Sequence, residues 1–66
     1  MKEYYLEPDF GQLIKIQNDR ATRKEIQNAF ISFAIDAGIV DMETRNYEIF
    51  KVPYLYQRLG VDKVAP

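Results

Sequence analysis

The sequence of 66 residues contains no cysteine, no histidine and no tryptophan. Without cysteine it has no disulfide framework, zinc–thiolate site, iron–sulfur site or thiol nucleophile. Without histidine it lacks the commonest general base and metal ligand. We therefore expect no cofactor and no metal.

The remaining candidates for chemistry are few. The three glycines, Gly11, Gly38 and Gly60, are isolated, so the chain has no phosphate-binding loop. Ser32 has no histidine that could activate it. Asp41 and Glu43 form a D-x-E pair, but two carboxylates seldom hold a metal ion alone. We expect a protein that is not an enzyme and has no small-molecule substrate.

Long hydrophobic runs are also absent. The longest apolar stretch, Ala29 to Ala37, is interrupted by Ser32 and Asp36 and falls short of the roughly 20 residues that span a bilayer. The N-terminus has no basic segment followed by an apolar run, so no secretory signal is expected. We predict a cytoplasmic protein without a membrane partner.

The composition is that of a folded chain, with 47% hydrophobic and 29% charged residues and a net charge of −1. We predict one small domain spanning residues 1–66. A domain of this length buries only about 60% of the surface that its unfolded chain exposes. It therefore needs very good packing or a partner.

The clearest predicted element is a helix from Thr22 to Ala37. Thr22 and Glu25 match the S/T-x-x-E capping box. Gly38 stands where a helix commonly ends in a left-handed residue, and Ile39 is the apolar residue that follows it. A helical period between these signals produces one apolar stripe, made up of Ile26, Ala29, Phe30, Phe33, Ala34 and Ala37.

Two further isoleucines of this helix lie outside the stripe. Ile31 and Ile35 fall about 140° and 180° around the helix from Ile26. The helix thus carries more apolar surface than packing on a small sheet requires. Large exposed apolar surfaces commonly mark binding sites, so these two residues are the first candidates for an interface.

The flanking segments predict an α+β fold. We expect a small antiparallel sheet of three to four strands with the main helix packed across it. A short C-terminal helix follows at Pro53–Leu59, ended by Gly60, and residues 62–66 are expected to fray. The strands are predicted at Tyr4–Leu6, Gln12–Gln17, Ile39–Met42 and Tyr47–Val52.

The second of these strands is the ambiguous one. Ile14 and Ile16 alternate around Lys15 as in a strand. The residues that also fit one helical face, with Pro8 near its first turn, are Phe10, Leu13, Ile14 and Gln17. We favour the strand because Gly11 would weaken so short a helix.

The function favoured by these patterns is a regulatory protein that binds a protein partner or itself, with a homodimer as the expected assembly. Tyrosine is enriched at interface hot spots, so the tyrosines of the strands and the C-terminal segment join the two isoleucines. The predicted protein-binding residues are Ile31, Ile35, Tyr47, Tyr54 and Tyr56.

The alternative is a nucleic-acid-binding regulator. Side chains of the types that contact phosphates and base edges cluster at the start of the main helix: Arg20, Arg23, Lys24, Gln27 and Asn28. If residues 8–17 are helical, Asn18–Ala21 becomes the turn of a helix-turn-helix. The order of helix, Gly-Ile-Val and short hairpin over residues 20–52 is similar to a winged-helix module. The chain departs from that pattern in its incomplete set of three helices and its pI near 5.2.

Overall fold

A computed structural model describes residues 2–66, and the chain divides into two compact units, Met1–Asp36 and Ala37–Pro66. Helices and strands are mixed, so the predicted α+β class is confirmed. The strands, however, form two separate two-stranded antiparallel sheets. The prediction of one sheet with three to four strands is therefore wrong.

The first unit begins with a short antiparallel ribbon. Strand β1 (Glu3–Tyr5) pairs with β2 (Arg20–Thr22), and Tyr4 lies opposite Ala21. The backbone N–H of Leu6 donates to the carbonyl of Asp19 at 2.8 Å, which extends the pairing by one step. The predicted first strand is thus present, displaced by one residue.

The segment between β1 and β2 corrects the prediction for Gln12–Gln17. Helix α1 (Pro8–Leu13) begins at Pro8, whose fixed φ suits a first helical turn. The chain then reverses through Lys15 at φ 62°, and the Ile16 N–H donates to the Gly11 carbonyl at 2.9 Å. A Cβ on Gly11 would lie only 3.2 Å from the Ile16 carbonyl oxygen. Gly11 therefore permits this return. The helical alternative forms over Pro8–Leu13 only, and residues 14–17 belong to neither a helix nor a strand.

Helix α2 (Arg23–Ala37) confirms the main helix and its N-terminal signal. The Thr22 N–H donates to Glu25 Oε1 at 2.8 Å, and the Glu25 N–H donates to Thr22 Oγ1 at 3.3 Å. Each residue of the capping box thus satisfies a backbone donor of the other. Gly38 follows the helix at φ 70°, the left-handed conformation expected of it.

The second unit contains less strand than predicted. In Ile39–Met42 only Val40 pairs, through one bridge to Tyr47, because the chain turns at Asp41. Strand β3 (Tyr47–Glu48) covers only the start of the predicted Tyr47–Val52. A 3-10 turn follows at Ile49–Lys51, in which the Val52 N–H donates to the Ile49 carbonyl at 3.0 Å.

The end of the chain combines a confirmed helix and an unexpected strand. Helix α3 (Pro53–Leu59) has its predicted bounds, and Gly60 closes it at φ 67° with its N–H on the Tyr56 carbonyl. Strand β4 (Lys63–Val64) pairs with β3. Residues 63 and 64 are therefore ordered by pairing, and the prediction of a frayed tail is wrong there.

Few apolar side chains are buried. They are Leu6, Ile14, Ala21 and Ala34 in the first unit and Ile39, Ile49 and Leu55 in the second. None of the helices within residues 2–66 has both the length and the apolar content needed to cross a membrane.

The capping box generates a prediction about stability. Thr22→Ala removes the acceptor for the Glu25 N–H and should lower the free energy of unfolding by about 0.5–2 kcal/mol. Ser32→Ala, an exposed change in the middle of the same helix, should alter it by less than about 0.5 kcal/mol. Urea denaturation followed by circular dichroism measures both. Equal losses in the two variants would contradict a role for the cap.

Candidate functional site

The candidate site is the outward face of α2. Its inward face carries most of the predicted apolar stripe: Ala34 is fully buried, and Ile26, Phe30 and Phe33 are half-buried. Ala37, the last residue of the stripe, is exposed. The Phe30 and Phe33 rings lie 6.0 Å apart between centroids, in a tilted arrangement. This aromatic pair helps to fix which side of the helix is covered.

The two outlying isoleucines lie on the uncovered side. Ile31 is 43% exposed and Ile35 is 65% exposed. Lys24, Asn28, Ile31 and Ile35 follow one another at i, i+4, i+7 and i+11, a spacing that places them in one row along a helix. We call this row of four side chains the outer seam.

The basic and polar residues predicted for nucleic acid adjoin or belong to the seam. Arg20 is exposed on β2, and Arg23, Lys24, Gln27 and Asn28 are exposed on the first turns of α2. Neither Arg23 nor Lys24 forms an ion pair with any side chain of residues 2–66. Counted with the carboxylates of Asp19 and Glu25, the segment of residues 19–28 carries a net charge of +1.

The one carboxylate in the first turn of α2 is already engaged. Glu25 accepts the Thr22 backbone N–H, and this bond, with the Thr22 hydroxyl, holds the pKa of its carboxyl below the usual range. The carboxylate therefore stays ionised in its capping role.

The predicted tyrosines belong to the second unit and differ in exposure. Tyr56 on α3 is 46% exposed, whereas Tyr47 and Tyr54 are half-buried. The Arg58 guanidinium lies 5.1 Å from the centroid of the Tyr54 ring, within cation–π range. Tyr47 is held in β3, where it pairs with both Val40 and Val64. Of the three, Tyr56 offers the most surface to a partner.

Several exposed apolar residues were missed by sequence reasoning. In the second unit they are Met42, Phe50, Leu59, Val61 and Val64. Tyr4 and Tyr5 of the first unit are exposed as well. Leu59 lies at the last position of α3 and is half-exposed, whereas Leu55 of the same helix is buried. Phe50 falls in the predicted strand Tyr47–Val52, but it lies in the 3-10 turn, where the alternating facing of a strand does not apply.

The D-x-E pair stabilises a turn. Asp41 Oδ1 accepts the backbone N–H groups of Glu43 at 2.9 Å and Thr44 at 3.4 Å. These bonds, that from Glu43 foremost, hold the pKa of the Asp41 carboxyl below its usual range. Within residues 2–66 no group of three or more acidic side chains gathers as a metal ion would require.

Comparison with known proteins adds no relative. No family model, no curated protein and no solved structure matches the chain. Its function is therefore inferred from the surface of the molecule itself.

The Asp41 turn predicts a titration. A carboxyl whose pKa is lowered in the folded state contributes stability above its unfolded pKa, and this stability is lost as the pH falls through the folded pKa. Titration followed by ¹³C NMR of the Asp41 carboxyl should thus give a lower midpoint in the native chain than in the same chain unfolded in urea. Coincident midpoints would show that the turn does not favour the ionised form.

Proposed function

We propose that this protein is a non-enzymatic regulatory module that binds another protein through the outward face of α2. The observation that carries the proposal is the exposure of Ile31 and Ile35 on a helix whose other large apolar residues are at least half-buried. Exposed apolar groups on one side of a helix are the usual anchors for a partner. Self-association is one form of this proposal, and action in the cytoplasm is part of it.

The energy available from the isoleucines is modest. Their exposed fractions together amount to about one isoleucine side chain, whose full burial is worth about 1.5–3 kcal/mol. Association costs about 4–15 kcal/mol in lost translational and rotational freedom. A partner must therefore also engage the polar part of the outer seam or a second surface. In this proposal the second surface contains Tyr56, together with the half-buried Tyr47 and Tyr54 of the same unit.

The proposal predicts that the isoleucines are dispensable for folding. Ile31→Gln and Ile35→Gln should each change the free energy of unfolding by less than about 0.5 kcal/mol, because exposed helical positions tolerate glutamine. Ala34→Gln, the same substitution type at a fully buried position of the same helix, should cost about 2 kcal/mol or more. Urea denaturation distinguishes the two classes.

If both isoleucine variants unfold as the Ala34 variant does, their side chains belong to the core and the proposal fails. Light scattering on the wild type and on the double variant Ile31→Gln/Ile35→Gln adds the second readout. A wild-type dimer that becomes a monomer in the double variant would identify the second copy as the partner.

A second candidate function is binding of duplex DNA. It is favoured by the exposure of Arg23, Lys24, Gln27 and Asn28 on the first turns of one helix, the place from which recognition helices contact base edges. A helix precedes α2, but it ends at Leu13 instead of Gln17. Residues 20 and 21 of the predicted helix-turn-helix turn, Asn18–Ala21, belong to β2, so that turn does not form. The net charge of −1 weighs against this candidate.

The DNA candidate has a simple test in fluorescence anisotropy with a labelled mixed-sequence duplex. Binding should weaken steeply with salt, and Lys24→Gln should reduce the slope of log K against log [salt] by about 1. Lys51→Gln, which removes a lysine already paired with Glu48 at 2.9 Å, should leave the slope unchanged. Absence of binding at low salt would eliminate DNA as the partner.

A further inference from the structure

The outer seam of α2 is divided along its length. Its N-terminal half carries Lys24 and Asn28, and its C-terminal half carries Ile31 and Ile35. A row at this spacing is the one that a helix presents when it packs along other helices. The division therefore specifies what the opposing surface must offer, carboxylates at one end and apolar side chains at the other.

A second copy of α2 meets that requirement poorly. Parallel pairing in register would place Lys24 opposite Lys24 of the other copy, and like charges at a contact are destabilising. Antiparallel pairing with full overlap would place Ile35 opposite Lys24 and Ile31 opposite Asn28. Only a short overlap of the last turns would match isoleucine with isoleucine, and it would leave most of the seam uncovered.

The positive charge at the N-terminal end extends beyond the seam. Arg23 precedes Lys24 on α2 and Arg20 lies on β2, and both are exposed. Residues 19–28 hold these three basic side chains and two carboxylates, Asp19 and Glu25, so the segment keeps a net charge of +1. Unpaired basic side chains beside an apolar surface favour a partner with carboxylates at the matching position. Phosphates would also satisfy the charges, but the two isoleucines call for an apolar surface that duplex DNA offers only at thymine methyl groups.

The shape of the partner follows from the size of the helix. With 15 residues, α2 is about 22 Å long and about 10 Å wide. A single helix laid along it would cover far less than the roughly 800 Å² per partner of a typical stable interface. A groove that also receives the flanks of the seam, where Gln27 and Ser32 lie, covers more.

We propose that α2 docks into an apolar groove between helices of an acidic protein partner, with carboxylates at the end of the groove that receives Lys24 and Arg23. Ile31 and Ile35 contact the apolar floor of the groove, and Asn28 lies between this apolar part and the carboxylates. This inference rests on the proposed function. It adds the chemistry of the partner and the direction in which α2 lies in the partner's groove.

The probe for this proposal is a designed two-helix hairpin with a leucine-lined groove, made in two forms that differ in three residues at one end of the groove. One form has three glutamates there and the other has three lysines. Titration of each into the ¹⁵N-labelled full chain is followed by NMR. The glutamate form should bind at least about 5-fold more tightly, as expected for two exposed charge pairs, with shifts concentrated between Lys24 and Ile35.

The direction of α2 in the groove is tested by reversing the charge of Lys24. Lys24→Glu should reduce or invert the preference between the two hairpins, while Lys15→Glu, an exposed lysine of the same unit outside α2, should preserve it. Replacing Ile31 and Ile35 by glutamine should weaken binding of both hairpins.

Each alternative result has a defined meaning. Equal binding of the two hairpins, dependent on the isoleucines, would overturn the acidic partner but leave the proposed function in place. Absence of binding to either hairpin, together with an isoleucine-dependent dimer in light scattering, would replace the acidic partner with a second copy. Binding to duplex DNA alone would overturn both the inference and the proposed function.

Discussion

The small number of buried side chains is the constraint on which the rest of this structure depends. Seven apolar residues are buried among those described, and α2, the longest element, contributes one of them, Ala34. A chain of this size has too little material to cover all sides of a helix of 15 residues. One side of α2 is therefore covered by its own chain, and the opposite side is left to water or to a partner.

Because burial is limited, local hydrogen bonds define many of the element boundaries. The capping box sets the start of α2, and Asp41 sets the turn that ends the pairing of Val40. Left-handed glycines follow α2 and α3 at Gly38 and Gly60. Each device satisfies or redirects backbone groups without requiring a large core. The two carboxylates involved, Glu25 and Asp41, owe their lowered pKa to this structural role.

The elements predicted correctly from sequence are those whose signals are local. Helices α2 and α3 were located because proline, capping residues and glycine act within a few residues of the backbone that they control. The strands were predicted less well: the first was displaced by one residue, and the later ones were too long. Pairings of two or three residues depend on partners distant in sequence, such as Lys63 opposite Glu48. At residues 12–17 the alternation of Ile14 and Ile16 resembled a strand, although Pro8 and the close return at Gly11 favoured the helix.

For the candidate site, too, the residues predicted correctly are those that depend on local signals. The outward position of Ile31 and Ile35 follows from helical periodicity alone, so their exposure could be expected from the sequence. The exposure of Phe50 and Leu59 depends on a 3-10 turn and on a helix end, and periodicity could not identify either. The tyrosines were chosen by residue type, which does not distinguish the half-buried Tyr47 from the exposed Tyr56.

The central claim, that one side of α2 is uncovered in the isolated chain, is tested most directly by the methyl groups of its isoleucines. A soluble paramagnetic agent, added to dilute monomeric protein labelled at isoleucine δ1 methyls, enhances relaxation in proportion to solvent access. The account predicts strong enhancement for Ile31 and Ile35 and protection for Ile39 and Ile49, which are each 1% exposed. Protection of Ile31 and Ile35 equal to that of Ile39 and Ile49 would contradict it.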